Sequence, residues 1–221
     1  MFELEHLTIG YAKRQVITDL SLTIPEQTIL AILGPSGSGK TTLLNAIAGL
    51  LPHIGEIYLN ARPVTPKQAT LALVPQDYGL LPWKRVIQNI ELGAKLKGQK
   101  LDNKKIQQLC ETLELTDVLM RYPSQLSGGQ KQRLSITRGV VGKPKVLILD
   151  DSTSALDAKS EKRVKEALEK ELTQTTTFVI AEKIFSVMEA DKIMVLDQGQ
   201  IVAWGSHQEL LATSKVYREI Y

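Results

Sequence analysis

At 221 residues, 43% hydrophobic and 23% charged, the chain has room for one well-packed domain with an inserted subdomain, and the composition of an ordinary soluble globular protein. Its net charge of +3 is mild and its Lys and Arg form no basic block, which argues against nucleic acid as the main partner. A single cysteine, Cys110, excludes an internal disulfide and fits a reducing compartment.

The N-terminal segment Met1 to His6 has neither the basic region nor the apolar core of a secretory signal. No apolar run anywhere approaches the roughly 20 residues that span a bilayer, so a partner chain is expected to supply any membrane contact. Phe2, Leu4, His6 and Thr8 alternate with Glu3, Glu5 and Leu7, and Ser21 to Ile24 repeats a strand pattern before Pro25. The apolar run Thr28 to Leu33 enters a glycine-rich loop directly, and a helix is expected from Lys40 to Leu50, stopping near Gly49 and Pro52.

From about Asp77 the texture turns helical, with Ile106, Leu109, Cys110 and Leu113 on one face. That spacing predicts a buried structural thiol at Cys110. Leu126-Ser127-Gly128-Gly129-Gln130 then opens a helix holding Leu134, Ile136 and Val140. Val146 to Leu149, ending in Asp150-Asp151, reads as a buried parallel strand with acids at its carboxyl end. A helix follows from about Ala158 to Leu172, with Asp157 as its cap. Thr177 to Ala181 is a further buried strand, and Asp197-Gln198-Gly199 turns a final hairpin.

The strongest signal is Gly34-Pro35-Ser36-Gly37-Ser38-Gly39-Lys40-Thr41-Thr42, in the strand–loop–helix setting of a phosphate-binding loop. The glycines let backbone amides close around a β-phosphate, Lys40 reaches the β and γ oxygens, and the Thr41 hydroxyl is placed to ligate Mg²⁺. Asp150 is the natural acid to stand behind the direct ligands of that metal, and Asp151 the candidate to orient an attacking water. Ser127-Gly128-Gly129 is another anion-binding helix start, and Ser127 with Gln130 has the spacing of a capping box. Two phosphate-grasping devices on one chain suggest a nucleotide gripped from two sides, by two molecules.

With these motifs in place, the chain resembles the nucleotide-binding subunit of an ABC transporter over nearly its whole length. The resemblance implies a P-loop NTPase core, a mixed sheet flanked by helices. It adds an N-terminal antiparallel β subdomain and an inserted α-helical subdomain, with residues 1–76 and 136–221 in the core and β subdomain and 77–135 in the insertion. It implies that Tyr11 stacks on adenine, that Gln76 touches Mg²⁺, and that Leu126 to Gln130 is the family signature. Ser154 to Asp157 resembles the loop crossing a dimer interface. ATP and Mg²⁺ are the implied cofactors. The implied partners are a second nucleotide-binding subunit, in a homodimer or heterodimer, and transmembrane permease subunits. That places the chain peripherally on the inner face of the cell membrane.

Two positions depart from the family pattern, which has Glu-Pro after the Mg²⁺ aspartate and a histidine after the next core strand. Here Asp151-Ser152 and Glu182 stand there, and no histidine lies between His53 and His207. Asp withdraws its carboxylate by about 1 Å relative to Glu, a misplacement that can cost roughly a hundredfold in rate. An anion about 4 Å from a phosphate oxygen is repelled by roughly 4 kcal/mol at an intermediate dielectric. Glu182 is therefore expected to turn away, toward Lys183 or solvent, or to take up a proton. The reading is an ATPase subunit whose own site is weak. Its alternatives are a regulatory ATP-binding module with little turnover and a soluble ABC ATPase outside transport.

On direction, Gly79-Leu80-Leu81-Pro82-Trp83 resembles importer subunits, while Asp150 to Ser154 and Gly205 to Leu211 resemble exporter domains. Exporter ATPase domains are usually fused to membrane helices. The expectation is a separate subunit docking on its permease through Tyr78 to Val86.

Overall fold

The computed structural model describes residues 1–11, 14–64, 71–96, 102–150, 156–180 and 190–220. β1 (Phe2–Tyr11) and β2 (Arg14–Ile24) pair antiparallel, and β3 (Ile29–Leu33) leads into α1 (Lys40–Ile47). β4 (His53–Leu59) and β5 (Arg62–Pro63) return to the first pair, giving a four-stranded sheet ordered β2-β1-β4-β5. The second sheet adds β6 (Leu71–Val74), β7 (Val146–Asp150), β8 (Thr176–Ile180), β9 (Lys192–Asp197) and β10 (Gln200–Gly205). Its order is β10-β9-β3-β8-β7-β6, parallel throughout except for the β9–β10 hairpin. This is the expected mixed sheet beside an antiparallel β subdomain.

The alternation expected of β1 holds only for its first half. Phe2, Leu4, Leu7 and Ile9 are buried, while Glu5 and His6 are exposed. Register breaks between Leu4 and Leu7 against β2, and between Glu5 and Thr8 against β4, mark a bulge. One extra residue swaps the faces beyond it, which carries Leu7 inward against the simple two-residue count. His6, at φ 51, turns out to meet Asp19 with its Nδ1 2.7 Å from Oδ1.

α1 stops at Ile47 rather than Leu50, because Gly49 takes the left-handed φ of 72 that ends a helix. β7 is buried along its whole length, as a parallel strand covered on both faces should be. Between β6 and β7 the described chain is helical. The helices are α2 (Val86–Leu96), α3 (Asn103–Thr112) and α4 (Gly128–Val140), with 3₁₀ turns at Thr116–Val118 and Pro123–Gln125 between the last two. Ile90, Ile106, Cys110, Leu134 and Ile136 form an apolar cluster that also takes Val74 and Leu147 from the sheet.

The remaining helices are α5 (Ala158–Glu171), α6 (His207–Thr213) and α7 (Lys215–Ile220). Asp157 caps α5 as expected, accepting from the Ser160 backbone N–H at 2.9 Å. The two sheets share one core, where Phe2 meets Phe178 edge-on with ring centroids 5.1 Å apart. Among the described residues, no helix is long and apolar enough to cross a membrane.

Candidate nucleotide-binding site

β3 delivers the glycine-rich loop at its carboxyl end, and the loop needs its glycines for stated reasons. Gly34, Gly37 and Gly39 have φ of 147, 79 and 107, a region that other residues rarely enter. A Cβ on Gly34 would fall 2.0 Å from the Leu196 carbonyl oxygen of β9. Gly39 caps α1 without a side chain, so the first-turn N–H groups of the helix face the loop. Lys40 folds across the loop, donating from Nζ to the carbonyls of Gly34 at 2.8 Å and Pro35 at 2.9 Å.

Thr41, in the first turn of α1, and Asp150, at the end of β7, come together although β8 lies between β3 and β7 in the sheet. The Thr41 hydroxyl donates to Asp150 Oδ1 at 3.4 Å, and Asp150 is buried at the end of β7. The Tyr11 hydroxyl lies 3.4 Å from Thr42 Oγ1, and half of the Tyr11 surface is exposed. A cleft of about 1060 Å³ joins these groups. Of the expected residues, Tyr11, Gly34, Ser36, Gly37, Gly39, Lys40, Thr41, Thr42, Gln76 and Asp150 line it. Pro35 and Ser38 do not; Ser38 is buried, and its carbonyl accepts from the Gly199 N–H at 3.0 Å.

The donor set suits Mg²⁺. A threonine hydroxyl beside a carboxylate offers hard oxygens, with the Gln76 side chain lining the same cleft. Among the described residues no group of three His, Cys, Asp or Glu side chains is placed to hold a metal ion.

The second motif sits elsewhere. Ser127 is the N-cap of α4, its hydroxyl accepting from the Gln130 N–H at 3.2 Å while Gln130 Oε1 accepts from the Ser127 N–H at 3.0 Å. That is the expected capping box. Ser127, Gly128, Gly129 and Gln130 are not among the residues lining the cleft. Asp151, Ser154 and Glu182 lie outside the described residues.

The Tyr78 to Val86 segment divides. Leu80 is half-buried against the helical cluster, whereas Trp83 is 70% exposed. Asn89, fully buried on α2, pins the stretch by accepting from the Leu81 N–H at 2.9 Å and donating to the Lys84 carbonyl at 2.9 Å. Sequence reasoning missed Asn89, which carries no local signal. It also missed Arg14, Gln15, Gln198 and Ile220, which line the cleft from β2, the hairpin turn and α7.

Comparison with known proteins agrees with this geometry. The family profile described as ABC transporter matches residues 17–154, more than half of the chain. The Salmonella typhimurium protein PhnT, named for 2-aminoethylphosphonate import, is 38% identical over 94% of this chain and 59% of its own length. The lipid A-core flippase of Cupriavidus pinatubonensis, named as ATP-dependent, is 33% identical over 100% of this chain and 40% of its own. A solved bacterial Atm1-family ABC exporter with ATP bound superposes with a TM-score of 0.90 at 27% identity, covering 99% of this chain and 41% of that one. The chain thus spans about three fifths of PhnT and less of the other two. By the profile match and by the loop, cleft and signature helix just described, the chain belongs to the ABC transporter family, as one of its ATP-binding domains.

Proposed function

We propose that the chain binds and hydrolyses ATP to power a membrane transporter, pairing with a second nucleotide-binding subunit around each ATP. The observation that carries this is the separation of the two phosphate-grasping devices. The phosphate loop, Thr41 and Asp150 build one cleft, while the capped Ser127–Gln130 helix start lies outside it and is free to complete the cleft of another molecule. Lys40 and the loop amides hold the phosphates, Tyr11 packs on the base, and Thr41, Asp150 and Gln76 hold Mg²⁺. A Mg²⁺ ion held there would offset the negative charge of the phosphates.

Asp151 and Glu182, standing where the family has Glu and His, leave this chain's own site binding ATP but turning it over slowly. The intact signature can still complete a competent site on a different partner. In this reading residues 77–135 form the helical subdomain and residues 1–76 and 136–221 the core, with α4 running unbroken across the junction. Trp83 and its neighbours dock on the permease, which holds the chain at the cytoplasmic face of the membrane. The relatives' names include both import and export-type transport.

The test compares ATP-dependent dimerisation with hydrolysis, for the chain alone and with its partner. Slow turnover that Asp151→Glu with Glu182→His raises is the expected result. Ordinary turnover by a homodimer, indifferent to Glu182→Ala, would sink the weak-site reading. A chain that closes on ATP yet stays inactive with every partner would be the regulatory module instead.

A further inference from the structure

The loop carrying Gln76 is held by a side chain that no site assignment above includes. The Tyr78 N–H donates to the Pro75 carbonyl at 3.1 Å, closing a turn with Gln76 and Asp77 at its corners. Tyr78 and Gly79 follow with φ of 66 and 54, two successive left-handed residues. A bulky residue in that region costs on the order of 1 kcal/mol or more and persists only where its surroundings hold it.

The surroundings are the last turns of α4. Ser135 Oγ donates to the Tyr78 carbonyl at 2.7 Å, Arg138 Nη2 donates to the same oxygen at 3.0 Å, and Arg138 Nη1 donates to the Gly79 carbonyl at 2.6 Å. The planar guanidinium thus grips two consecutive carbonyls, which a lysine cannot do. Asp77 completes the clasp by accepting from the Gly79 N–H at 3.2 Å. Burial lowers the Arg138 pKa and the nearby Asp77 charge works against that, and a guanidinium keeps its charge at neutral pH. Even a Cβ on Gly79 would sit 3.1 Å from Arg138 Nη2.

We propose that Arg138, assisted by Ser135, is a positioning residue that sets Gln76 in the nucleotide cleft through the Tyr78–Gly79 turn, which makes α4 a mechanical link between two nucleotide sites. The inference rests on the nucleotide reading above. α4 starts at the Ser127–Gly129 motif offered to another molecule, and near its other end Arg138 clasps this chain's own Gln76 loop, about 15 Å away at 1.5 Å per residue. A tilt imposed at the first end drags the Tyr78 carbonyl at the second. Gln76 then moves relative to Thr41 and Asp150.

The test uses the full chain carrying Arg138→Gln, Arg138→Lys or Ser135→Ala. ATP binding is measured by calorimetry with and without Mg²⁺, and amide hydrogen exchange across the chain. In Arg138→Gln, ATP affinity without Mg²⁺ should stay within about twofold of wild type, the gain in affinity that Mg²⁺ confers should fall about tenfold, and amides from Asp77 to Leu81 should exchange about tenfold faster while β7 and α4 keep their protection. Arg138→Lys should recover part of each effect. Unchanged exchange and an unchanged Mg²⁺ gain would overturn the proposal, as would protection lost equally along α4 and β7, the mark of ordinary packing. If Arg138→Gln does not fold, Ser135→Ala decides by the same readouts. A wild-type chain that binds no ATP in either condition would overturn the nucleotide reading itself.

Discussion

Gly199 donates its backbone N–H to the Ser38 carbonyl across 3.0 Å, so the turn between β9 and β10 is fastened to the phosphate-binding loop. Gln198 and Gly199 have φ of 44 and 76, the pair of left-handed residues that a two-residue hairpin turn of type I′ requires. A Cβ on Gly199 would stand 1.8 Å from the Val16 carbonyl oxygen, so loop, hairpin and β2 meet at one residue with no side chain.

Gly199→Ala is therefore expected to lower stability by more than about 1 kcal/mol and to weaken ATP binding together with it. Urea unfolding and nucleotide titration check this. An unchanged midpoint with unchanged affinity would mean that the contact does nothing for the loop.

Tyr11→Ala should weaken ATP affinity by about 1–3 kcal/mol, the usual loss when a base loses its aromatic platform. Tyr11→Phe keeps the ring and discards only the hydroxyl contact to Thr42, and should bind almost as well as wild type. Equal losses in both variants would put the hydroxyl, not the ring, in charge.

Asp150→Asn keeps the shape of the carboxylate and removes its charge. Turnover with Mg²⁺ should drop about a hundredfold, while ATP affinity without Mg²⁺ changes little. Parallel calorimetry and phosphate release measure the two. A comparable loss of metal-free affinity would show that Asp150 holds the loop and not the metal.

Burial pushes the Cys110 thiol up to about 11. At about pH 8 only one thiol in a thousand is then ionised, and the folded chain should resist alkylation that proceeds readily after unfolding. Mass spectrometry after a timed pulse of iodoacetamide reads the difference.

The Ser160 backbone N–H and hydroxyl hold the exposed Asp157 carboxyl below its ordinary pKa. A depressed value in the folded state means that the stabilisation is present above the unfolded pKa, about 3.9, and is lost as pH falls through the lower folded value. Asp157→Asn keeps an oxygen for the cap and removes the titration. Its unfolding midpoint should change less between about pH 5 and pH 3 than that of wild type.

How much of this was legible beforehand depended on distance along the chain. The Asp157 cap, the Ser127–Gln130 box and the Gln198-Gly199 turn are each written within four residues, because a cap or turn is chemistry between near neighbours. The apolar strand ending in Asp150 and the glycine loop leaving β3 were equally plain. The β1 bulge was not, since strict alternation carries no mark of the one residue that breaks it and the partners that set its register lie on β2 and β4.

Local sequence by itself thus determined the phosphate loop, the signature helix start and the strands that frame them, since steric limits and nearby hydrogen bonds suffice for each. Tertiary structure alone decided which of these groups meet. Parallel pairing aligns the carboxyl ends of β3, β8 and β7, which brings Thr41 to Asp150 across an intervening strand. The packing of α4 on the chain after β6 puts Arg138 on the Tyr78 and Gly79 carbonyls and leaves Trp83 in solvent. Contacts of that kind depend on how sheets and helices close on one core, and residue spacing does not record it.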